Sequence, residues 1–368
     1  MRIKWEQKKI GEILQLEYGK PLPASDRIPA GAFPVYGANG EKDRTDKFLC
    51  DKPSIVVGRK GSAGELKITA GKFWPLDVTY YAVFNQSKYD LKFLYYVLLT
   101  LDLPTLARGV KPGINRNDVY ALTAMIPPLS EQQRIVRLLD EALEGIDIAK
   151  ANTEQNLQNT RELFESQLNA VFEQKNDEWK TEKIRDVCEL VNGRQYSKQE
   201  LLSTGKYRVL RVGNFFTSTT WYYSDLELEE QKYCNSGDLL YAWSASFGPR
   251  MWAGGKVIFH YHIWKVVHDT TQIDKKYLFY FFQWDTEKIK KAQGTGTTMM
   301  HVSMGSMNER AVVVPPLADQ LRMVRVLDDF NTDTSNLVKL FEKKIVAMDQ
   351  LKESLLRKAF HAGDLVTA

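Results

Sequence analysis

Three stretches in the first 120 residues concentrate side chains that can hydrogen-bond to nucleic acid. Arginine and asparagine make paired hydrogen bonds to base edges, and lysine and arginine neutralise phosphates. Each stretch lies in or beside a Gly- or Pro-containing segment, which favours a loop that projects its side chains. The candidates are Lys42 and Arg44 after the turn at residues 37–40, Arg59 and Lys60 in a Gly-rich turn, and Arg108, Lys111, Asn115, Arg116 and Asn117 in a Pro/Gly loop.

A second set of similar character lies in the other half of the chain. Its members again stand beside glycine, and several are hydroxyl or amide side chains that suit base edges. They are Arg194, Gln195 and Tyr196 after a glycine, Ser244, Ser246 and Arg250 around Phe-Gly-Pro, and Gln293, Thr295, Thr297 and Thr298 in the QGTGTT segment. Any one of these residues could equally be an ordinary solvated loop residue. As sets they indicate two polyanion-binding surfaces.

Metal and catalytic chemistry receive little support. His260 and His262 alternate on a predicted strand, 259–265, but no third ligand is evident, so we interpret them as structural histidines. Asp51 with Glu65 and Lys67 resembles a nuclease carboxylate–lysine set, although a single E-x-K is too common to carry that assignment. Residues 58–64 lack the spacing of an ATP phosphate loop. We therefore expect no metal and no cofactor.

The two Pro-Pro segments also lack the catalytic pattern of an amino-methyltransferase. That chemistry needs Asn or Asp before Pro-Pro and an aromatic residue after it, to hold a flipped base. Here Ile126 and Val314 precede the prolines, and Leu129 and Leu317 follow them. The sequence therefore predicts a protein that is not itself an enzyme.

Composition and charge fit a globular protein with two basic parts. The chain has 368 residues, 43% of them hydrophobic, and a net charge of +4. That charge divides into +6 over residues 1–128, −6 over 129–178, +4 over 179–316 and zero over 317–368. The two segments that carry the candidate residues are thus the basic ones, as expected for a polyanion held at two places, although a mild basic excess is also ordinary surface chemistry.

Several residue types are expected to be buried. The aromatic residues Trp243, Phe247, Trp252 and Trp264 are interpreted as core, because double-stranded DNA has no free base faces to stack on them. Cys50, Cys188 and Cys234 form no C-x-x-C pair and are expected to be small core residues. No apolar run reaches the length of a membrane span and the first ten residues lack the core of a signal peptide, so we expect a cytoplasmic protein and no membrane partner.

The elements that must position these residues are duplicated. Residues 126–140, IPPLSEQQRIVRLLD, match residues 314–328, VPPLADQLRMVRVLD, at an offset of 188. The same offset pairs Phe172 with Phe360, and an offset of 174 pairs Gly19 with Gly193. Each half therefore consists of a globular part followed by a helix.

The two helices are predicted to pair with each other. Apolar residues step by three and four from Ile135 to Val171 and again from Met323 to Ala359, which is the heptad pattern of a coiled coil. The prolines prevent helix upstream, and Ser130 and Asp319 are the expected N-caps. From residue 130 to 174 an unbroken helix would be about 65 Å long and could not bury its own stripe. We expect an antiparallel pair around a pseudo-twofold axis, the alternative being that each helix packs only on its own domain.

These features resemble the specificity (S) subunits of type I restriction-modification systems. The helical repeats of that family commonly open with a Pro-Pro-Leu, Glu-Gln-Gln-type sequence like Pro127-Pro128-Leu129 and Glu131-Gln132-Gln133. Residues 33–40, 55–64 and 73–77 are similar to one recognition-domain pattern, and residues 237–248 and 259–265 to another. The second repeat departs from the pattern, with Ala318-Asp319-Gln320-Leu321 in place of Ser-Glu-Gln-Gln.

The resemblance implies an α+β architecture with two target-recognition domains, at residues 1–128 and 179–316, separated by coiled-coil repeats at 129–178 and 317–368. It implies a non-catalytic subunit whose domains each read one half of a bipartite, asymmetric site in double-stranded DNA. The helices would set the spacing and dock two copies of the methyltransferase (M) subunit, and the restriction (R) subunits would join through the complex. The alternatives are a solitary methyltransferase or nuclease with built-in recognition, and a coiled-coil adaptor that does not read DNA.

Overall fold

A computed structural model describes residues 4–174, 176–216, 218–244, 247–293 and 301–360. The chain divides into two compact units. The first contains the residues up to Glu154 together with those from Lys343 onward, and the second runs from Gln155 to Glu342. Each unit therefore contains part of both long helices that the sequence predicts.

The first unit is built on mainly antiparallel sheets, with one parallel strand pair, and short helices around them. A four-stranded sheet has the order β2-β8-β5-β6, a three-stranded sheet has the order β4-β3-β7, and β1 pairs with β9. The strands are Glu6–Lys9 (β1), Leu14–Tyr18 (β2), Phe33–Gly37 (β3), Gly40–Thr45 (β4), Ile55–Gly58 (β5), Leu66–Ile68 (β6), Trp74–Pro75 (β7), Thr79–Phe84 (β8) and Thr123–Ile126 (β9). The helices are Ile10–Ile13 (α1), Leu91–Thr100 (α2) and Arg116–Ala121 (α3), followed by the long helix Leu129–Phe172 (α4).

The second unit repeats this plan. Its four-stranded sheets have the orders β11-β18-β15-β16 and β13-β12-β17-β14, and β10 pairs with β19. The strands are Lys180–Lys183 (β10), Cys188–Asn192 (β11), Tyr207–Leu210 (β12), Tyr222–Ser224 (β13), Tyr233–Cys234 (β14), Leu239–Ala242 (β15), Gly248–Met251 (β16), Val257–Phe259 (β17), Ile263–His268 (β18) and Ala311–Val314 (β19). The helices are Ile184–Val187 (α5), Val212–Phe216 (α6), Lys275–Gln293 (α7), Met304–Asn308 (α8) and the long Leu317–Phe360 (α9). The predicted α+β class and the duplication are confirmed.

One inner strand of each unit is buried on both faces. β5 (IVVG) and β15 (LLYA) are buried at every residue, as expected for strands covered on both sides. One close approach recurs beside them. A Cβ atom at Gly19 would lie 2.1 Å from the Leu76 carbonyl oxygen, and one at Gly193 would lie 2.3 Å from the Phe259 carbonyl oxygen. Glycine is therefore required directly after β2 in the first unit and directly after β11 in the second, which explains why this pair survives in the repeat.

The long helices run antiparallel in both units, as predicted. In the first unit Lys150 pairs with Asp349 and Lys352 with Asp147, each at 2.6 Å. In the second, the Phe164 and Phe330 rings stack with centroids 6.4 Å apart. As residue numbers rise along α4, the residues of α9 in contact with it fall in number, so the two helices run in opposite directions. The alternative, that each helix packs only on its own domain, is wrong.

The predicted N-caps are wrong, by two residues in α4 and by three in α9. The helices begin at Leu129 and Leu317, so Ser130 and Asp319 already lie in the first turn. The carbonyl of Pro128 accepts the N–H groups of Glu131 and Gln132, and the carbonyl of Pro316 plays the same part in α9. A proline carbonyl can accept the first helical hydrogen bond even though its ring prevents helix further upstream.

Each apolar core is closed by the beginning of one long helix and the end of the other. The core of the first unit contains Ile135 and Leu139 of α4, and Ala359 of α9. The core of the second contains Leu168 and Phe172 of α4 together with Met323, Val324 and Leu327 of α9. Both helices are thus part of the folding core of both units, because their stripes continue directly into it.

A buried glutamine fixes the start of each long helix. In the first unit Gln132 accepts the Asp90 N–H (2.9 Å) and donates to the carbonyls of Lys88 (3.1 Å) and Pro127 (2.9 Å). Gln320 does the same, accepting from Asp274 (2.8 Å) and donating to Gln272 (3.0 Å) and Pro315 (2.8 Å).

A carboxylate further along each long helix completes this anchor. Asp140 accepts from Lys92 and Tyr96, and Asp328 accepts from Lys276 and Tyr280. The departure from the family sequence in the second repeat therefore leaves these contacts unchanged.

The cysteines and aromatic residues predicted to be core residues lie in the cores or pack against them. Cys50, Cys188 and Cys234 are buried free thiols whose pKa values are each raised to about 12 by burial. Phe247, Trp252 and Trp264 belong to the core, and Trp243 packs against it. Among the described residues, no helix combines the length and the apolar character that a membrane crossing demands.

The glutamine anchor predicts a stability difference between two neighbouring positions. Gln132→Ala should lower the free energy of unfolding by about 2–4 kcal/mol, because it strands one buried donor and two acceptors. The matched variant Gln133→Ala removes an exposed side chain from the same turn and should change stability by less than about 0.5 kcal/mol. Denaturant unfolding of both variants measures the difference, and equal values would show that the anchor contributes nothing.

Candidate nucleic-acid interface

Two of the predicted stretches in the first unit form one structure. The turn that follows β5 and the hairpin at residues 108–113 are joined by backbone hydrogen bonds. Ile114 N–H donates to the Arg59 carbonyl (3.0 Å), and Gly61 N–H donates to the Pro112 carbonyl (3.0 Å). The hairpin is itself closed between Arg108 and Gly113. Stretches about 50 residues apart in sequence therefore form one surface.

The exposed cations of this surface are free within the described part of the chain. Lys60, Arg108 and Lys111 are exposed, and among residues 4–174 and the other described ranges no hydrogen bond or ion pair of their side chains is found. Between them Val110 is fully exposed at the tip of the hairpin. A basic tip of this kind suits contact with a phosphate backbone.

Arg59 and Arg116 converge on a residue that the sequence analysis did not select. Their guanidinium carbons lie 5.4 and 5.0 Å from the centroid of the Tyr18 ring. Tyr18 is the last residue of β2 and directly precedes Gly19, whose close approach fixes the backbone there. Gly19 is the sequence signal that could have pointed to Tyr18, because a residue beside a required glycine has a fixed backbone position.

The predicted loop at residues 108–117 is partly helical. Asn115 is the N-cap of α3 and its side-chain oxygen accepts the Asn117 N–H at 3.0 Å, so Arg116 and Asn117 stand in the first turn of α3. The expectation of a loop through this segment is wrong after residue 114. Asn, which favours N-caps, is the physical reason.

Lys42 and Arg44 of the first predicted stretch have different surroundings. Lys42 is exposed on β4. Arg44, on the same strand, donates to the carbonyls of Gly31 (2.7 Å) and Ala32 (3.0 Å) and pairs with Glu41 (3.0 Å). Its guanidinium therefore holds the preceding loop in place.

In the second unit Arg194, Gln195 and Tyr196 have different surroundings. Arg194 pairs with Glu200 at 2.7 Å and lies 5.4 Å from the centroid of the Tyr196 ring. Tyr196 is buried, and its pKa is raised by that burial. Gln195 alone is exposed. The stretch thus offers one free side chain between two engaged ones.

The remaining candidates of the second unit are only partly described. Ser244 forms a backbone bridge with His301, and Arg250 is exposed on β16 with its guanidinium 5.8 Å from the Phe215 ring. Gln293 ends α7, but its side chain lies outside the described part of the structure, as do Ser246, Thr295, Thr297 and Thr298.

A cavity of about 390 Å³ lies near Arg194, whose bridge partner His260 is one of the lining residues. Its walls include Arg211, Asn214, Thr220, Tyr222, His260 and His262. The backbone bridge between Arg194 and His260 connects the two features. No sequence motif distinguishes Arg211, Asn214 or Tyr222 from other polar loop residues, so the sequence alone does not predict them as site residues.

The two histidines lie in a turn and not on a strand. β17 ends at Phe259 and β18 begins at Ile263, so the predicted strand at 259–265 is wrong. Tyr241 and Ala242 pair with Trp264 and Ile263, whereas the backbone reverses at 261–262. The imidazole centroids are 4.8 Å apart, and the pKa of His260 is lowered to about 4 by burial, His262 and Arg211. Within the described ranges no group of three potential metal ligands is found.

Comparison with known proteins assigns the family. The family model for the type I restriction modification DNA specificity domain matches residues 2–159 and 176–345. A putative type I restriction enzyme specificity subunit of Haemophilus influenzae is 26% identical over 343 residues, which are 86% of this chain and 85% of that protein. The MjaVIII specificity subunit of Methanocaldococcus jannaschii is 28% identical over 129 residues, which are 35% of this chain and 29% of that protein.

Solved structures agree on the fold. A chain from a structure concerned with complex assembly and conformational transition of the type I R-M system has a TM-score of 0.79 at 15% identity, with 98% of this chain and 99% of that chain covered. The HsdS subunit from Thermoanaerobacter tengcongensis has a TM-score of 0.59 at 16% identity, with 97% of both chains covered. The two segments that the family model matches together cover most of the sequence. The chain therefore belongs to the family of type I restriction-modification DNA specificity subunits.

Proposed function

We propose that the two globular domains, residues 1–128 and 179–316, each read one half of a bipartite, asymmetric site in double-stranded DNA. As a specificity subunit the chain recognises DNA and leaves methylation and cleavage to partner subunits. One observation supports the division into half-sites: the anchors of the two domains match while their polar loops differ. Arg59 directly follows β5 as Trp243 directly follows β15, at an offset of 184, and Arg116 corresponds to Met304 at the offset of 188. Two different surfaces on one frame suit an asymmetric target.

In the first domain we assign phosphate contact to the exposed cations Lys60, Arg108 and Lys111, with Lys42, Asn115 and Asn117 as further contacts. Arg44 is assigned to the loop scaffold, because its donors already have acceptors. In the second domain we keep Arg194, Gln195, Ser244, Ser246, Arg250, Gln293, Thr295, Thr297 and Thr298 as candidates and assign Tyr196 to the core. The cavity beside His260 is added to this surface.

For the helical repeats, residues 129–178 and 317–368, we propose that they dock two copies of the methyltransferase subunit. Each unit has a matched pair of large apolar side chains that are about half exposed. They are Leu138 and Leu351 in the first unit, and their repeat counterparts Val326 and Leu163 in the second. Equivalent apolar patches favour equivalent partners. The restriction subunits would join through that complex, which we place in the cytoplasm with its DNA.

We also propose that the helices set the spacing between half-sites. The beginning and end of each long helix are buried in apolar cores, so that a change in helix length cannot be absorbed by a loose connection. Recognition requires both half-sites to present their grooves in phase.

Charge reversal tests the phosphate contacts. In the complex with methyltransferase subunits, Arg108→Glu with Lys111→Glu should weaken DNA binding and reduce the slope of log affinity against log salt by about 1.8, because two counterion-releasing contacts are lost. Lys52→Glu with Lys88→Glu reverses two other exposed lysines of the same unit and should leave binding unchanged. Equal effects of the two double variants would remove the hairpin from the interface.

Lengthening the helices tests the spacing. Seven residues inserted after Glu154 and seven after Glu342 keep the heptad register and add about 10 Å to each helix. At about 3.4 Å per base pair, the gap in the methylated motif should grow by up to about three base pairs while both half-sites stay the same. Motif sequencing in cells that carry the complete system measures this. Full modification at the original spacing, or a change in the bases read, would contradict the proposal.

A further inference from the structure

Three side chains of the first unit form a compact cationic and aromatic group on its surface. Tyr18 ends β2, Arg59 follows β5 and Arg116 begins α3, so three separate elements contribute. Both guanidinium groups lie against the same ring, at 5.4 and 5.0 Å from its centroid. Tyr18 is 48% exposed. We call Tyr18, Arg59 and Arg116 the arginine–tyrosine group.

The group is held in place by backbone acceptors. Arg59 donates through Nε (3.1 Å) and Nη2 (2.6 Å) to the Asp77 carbonyl, and Arg116 donates through Nη1 to the Leu16 carbonyl at 3.2 Å. The Tyr18 ring packs edge-on against Tyr80, with centroids 5.1 Å apart. Side chains fixed in this way lose little further conformational entropy when they bind a ligand.

The charges of the group are not neutralised. Within the described ranges neither Arg59 nor Arg116 forms an ion pair with a carboxylate, whereas Arg27, Arg44 and Arg134 of the same unit do. A guanidinium has five N–H donors in a planar fork. The carbonyl bonds occupy two donors of Arg59 and one of Arg116. Most of both forks therefore remains available for a ligand with paired acceptors.

The frame of the fold does not require this group. By the repeat offsets, Tyr18, Arg59 and Arg116 correspond to Asn192, Trp243 and Met304 in the second unit. A backbone hydrogen bond of the scaffold is nevertheless equivalent in the two units. The Val302 N–H donates to the Trp243 carbonyl (3.1 Å), just as the Ile114 N–H donates to the Arg59 carbonyl. The same scaffold thus carries an apolar or amide residue at each position.

We propose that Arg59 and Arg116 read guanine in the half-site bound by the first domain, and that Tyr18 is the positioning residue that holds both guanidiniums. This proposal rests on the DNA-reading function proposed above. Guanine offers two acceptors, O6 and N7, to the major groove, and a bidentate arginine is the side chain that matches them. A guanidinium fork also matches two phosphate oxygens, but a phosphate can be approached from many directions, whereas a base edge presents its two acceptors in one plane and one direction. The stacked and tethered geometry favours base reading over phosphate binding.

The first test is the composition of the motif. Methylome sequencing of cells that carry the complete system identifies both half-sites, and replacement of residues 1–128 shows which one the first domain reads. That half-site is expected to contain guanine on at least one strand at a position where no other base is accepted. A half-site in which no G·C pair is required would overturn the proposal.

The second test probes the acceptor directly. Binding is measured for the chain in complex with its methyltransferase subunits, on duplexes in which 7-deazaguanine replaces each guanine of that half-site in turn. Loss of N7 at a position read by the group should weaken binding about 10-fold or more. Arg59→Met and Arg116→Met keep an unbranched side chain of similar length but remove every donor, so each should abolish the sensitivity to 7-deazaguanine at its own position, whereas a lysine could still donate to N7.

Further variants separate positioning from folding. Tyr18→Leu should reduce the 7-deazaguanine effect, and Tyr18→Phe, which keeps the ring, should restore it. Arg208→Met is the matched control, because that guanidinium also lies over a ring, Trp221 at 5.1 Å, and donates to a carbonyl, but in the second unit. It should leave the sensitivity in the first half-site intact.

The outcomes distinguish the two proposals. Specific binding that is insensitive to 7-deazaguanine in the first half-site, or methionine variants that keep full sensitivity, would overturn guanine reading and leave the DNA-reading function in place. A complex that binds every duplex equally, whatever its sequence, would overturn the DNA-reading function itself.

Discussion

Two helices of 44 residues with continuous apolar stripes cannot remain stable alone in water, and the rest of the structure depends on how those stripes are buried. Each stripe is covered by the partner helix along its middle and by a globular core at its ends. The first core takes Ile135 and Leu139 from α4 and Ala359 from α9, and the second takes the complementary ends. The globular domains and the helices are therefore one folding system, in which neither part is an appendage of the other.

Polar anchors give this system its register. Burial of an apolar stripe is not directional, whereas a buried glutamine with three backbone partners has one acceptable position. Gln132 and Gln320 occupy that position in the two units, and Asp140 and Asp328 add a lysine and a tyrosine partner each. The domains can then vary at their polar loops without moving the helices. This separation of frame and loops is what a subunit with two different targets needs.

The duplication, the long helices and their antiparallel pairing were predictable, because heptad periodicity and the repeated Pro-Pro segment are local features of the sequence. The candidate site was predictable only in part. Lys60, Arg108 and Lys111 lie on one surface as expected, but Arg44 is occupied by two carbonyls and Tyr196 is buried. Neither fact has a local signal, since both depend on residues that fold against them from elsewhere. The convergence of Arg59 and Arg116 on Tyr18 is likewise tertiary. The turn that interrupts the predicted strand at residues 260–262 is closed by the Ile263 N–H, which donates to the His260 carbonyl at 2.9 Å.

The central claim is that each domain reads its own half-site on a shared frame. It can be tested in a chain whose residues 1–128 are replaced by its own residues 179–316, since Asp274, Lys276 and Tyr280 supply the anchor contacts that Asp90, Lys92 and Tyr96 make in the native chain. The measurement is the methylated motif in cells that express this chain with its partner subunits. We expect a symmetric motif composed of two copies of the half-site that the second domain reads. An unchanged asymmetric motif, or a motif in which neither native half-site appears, would contradict the account.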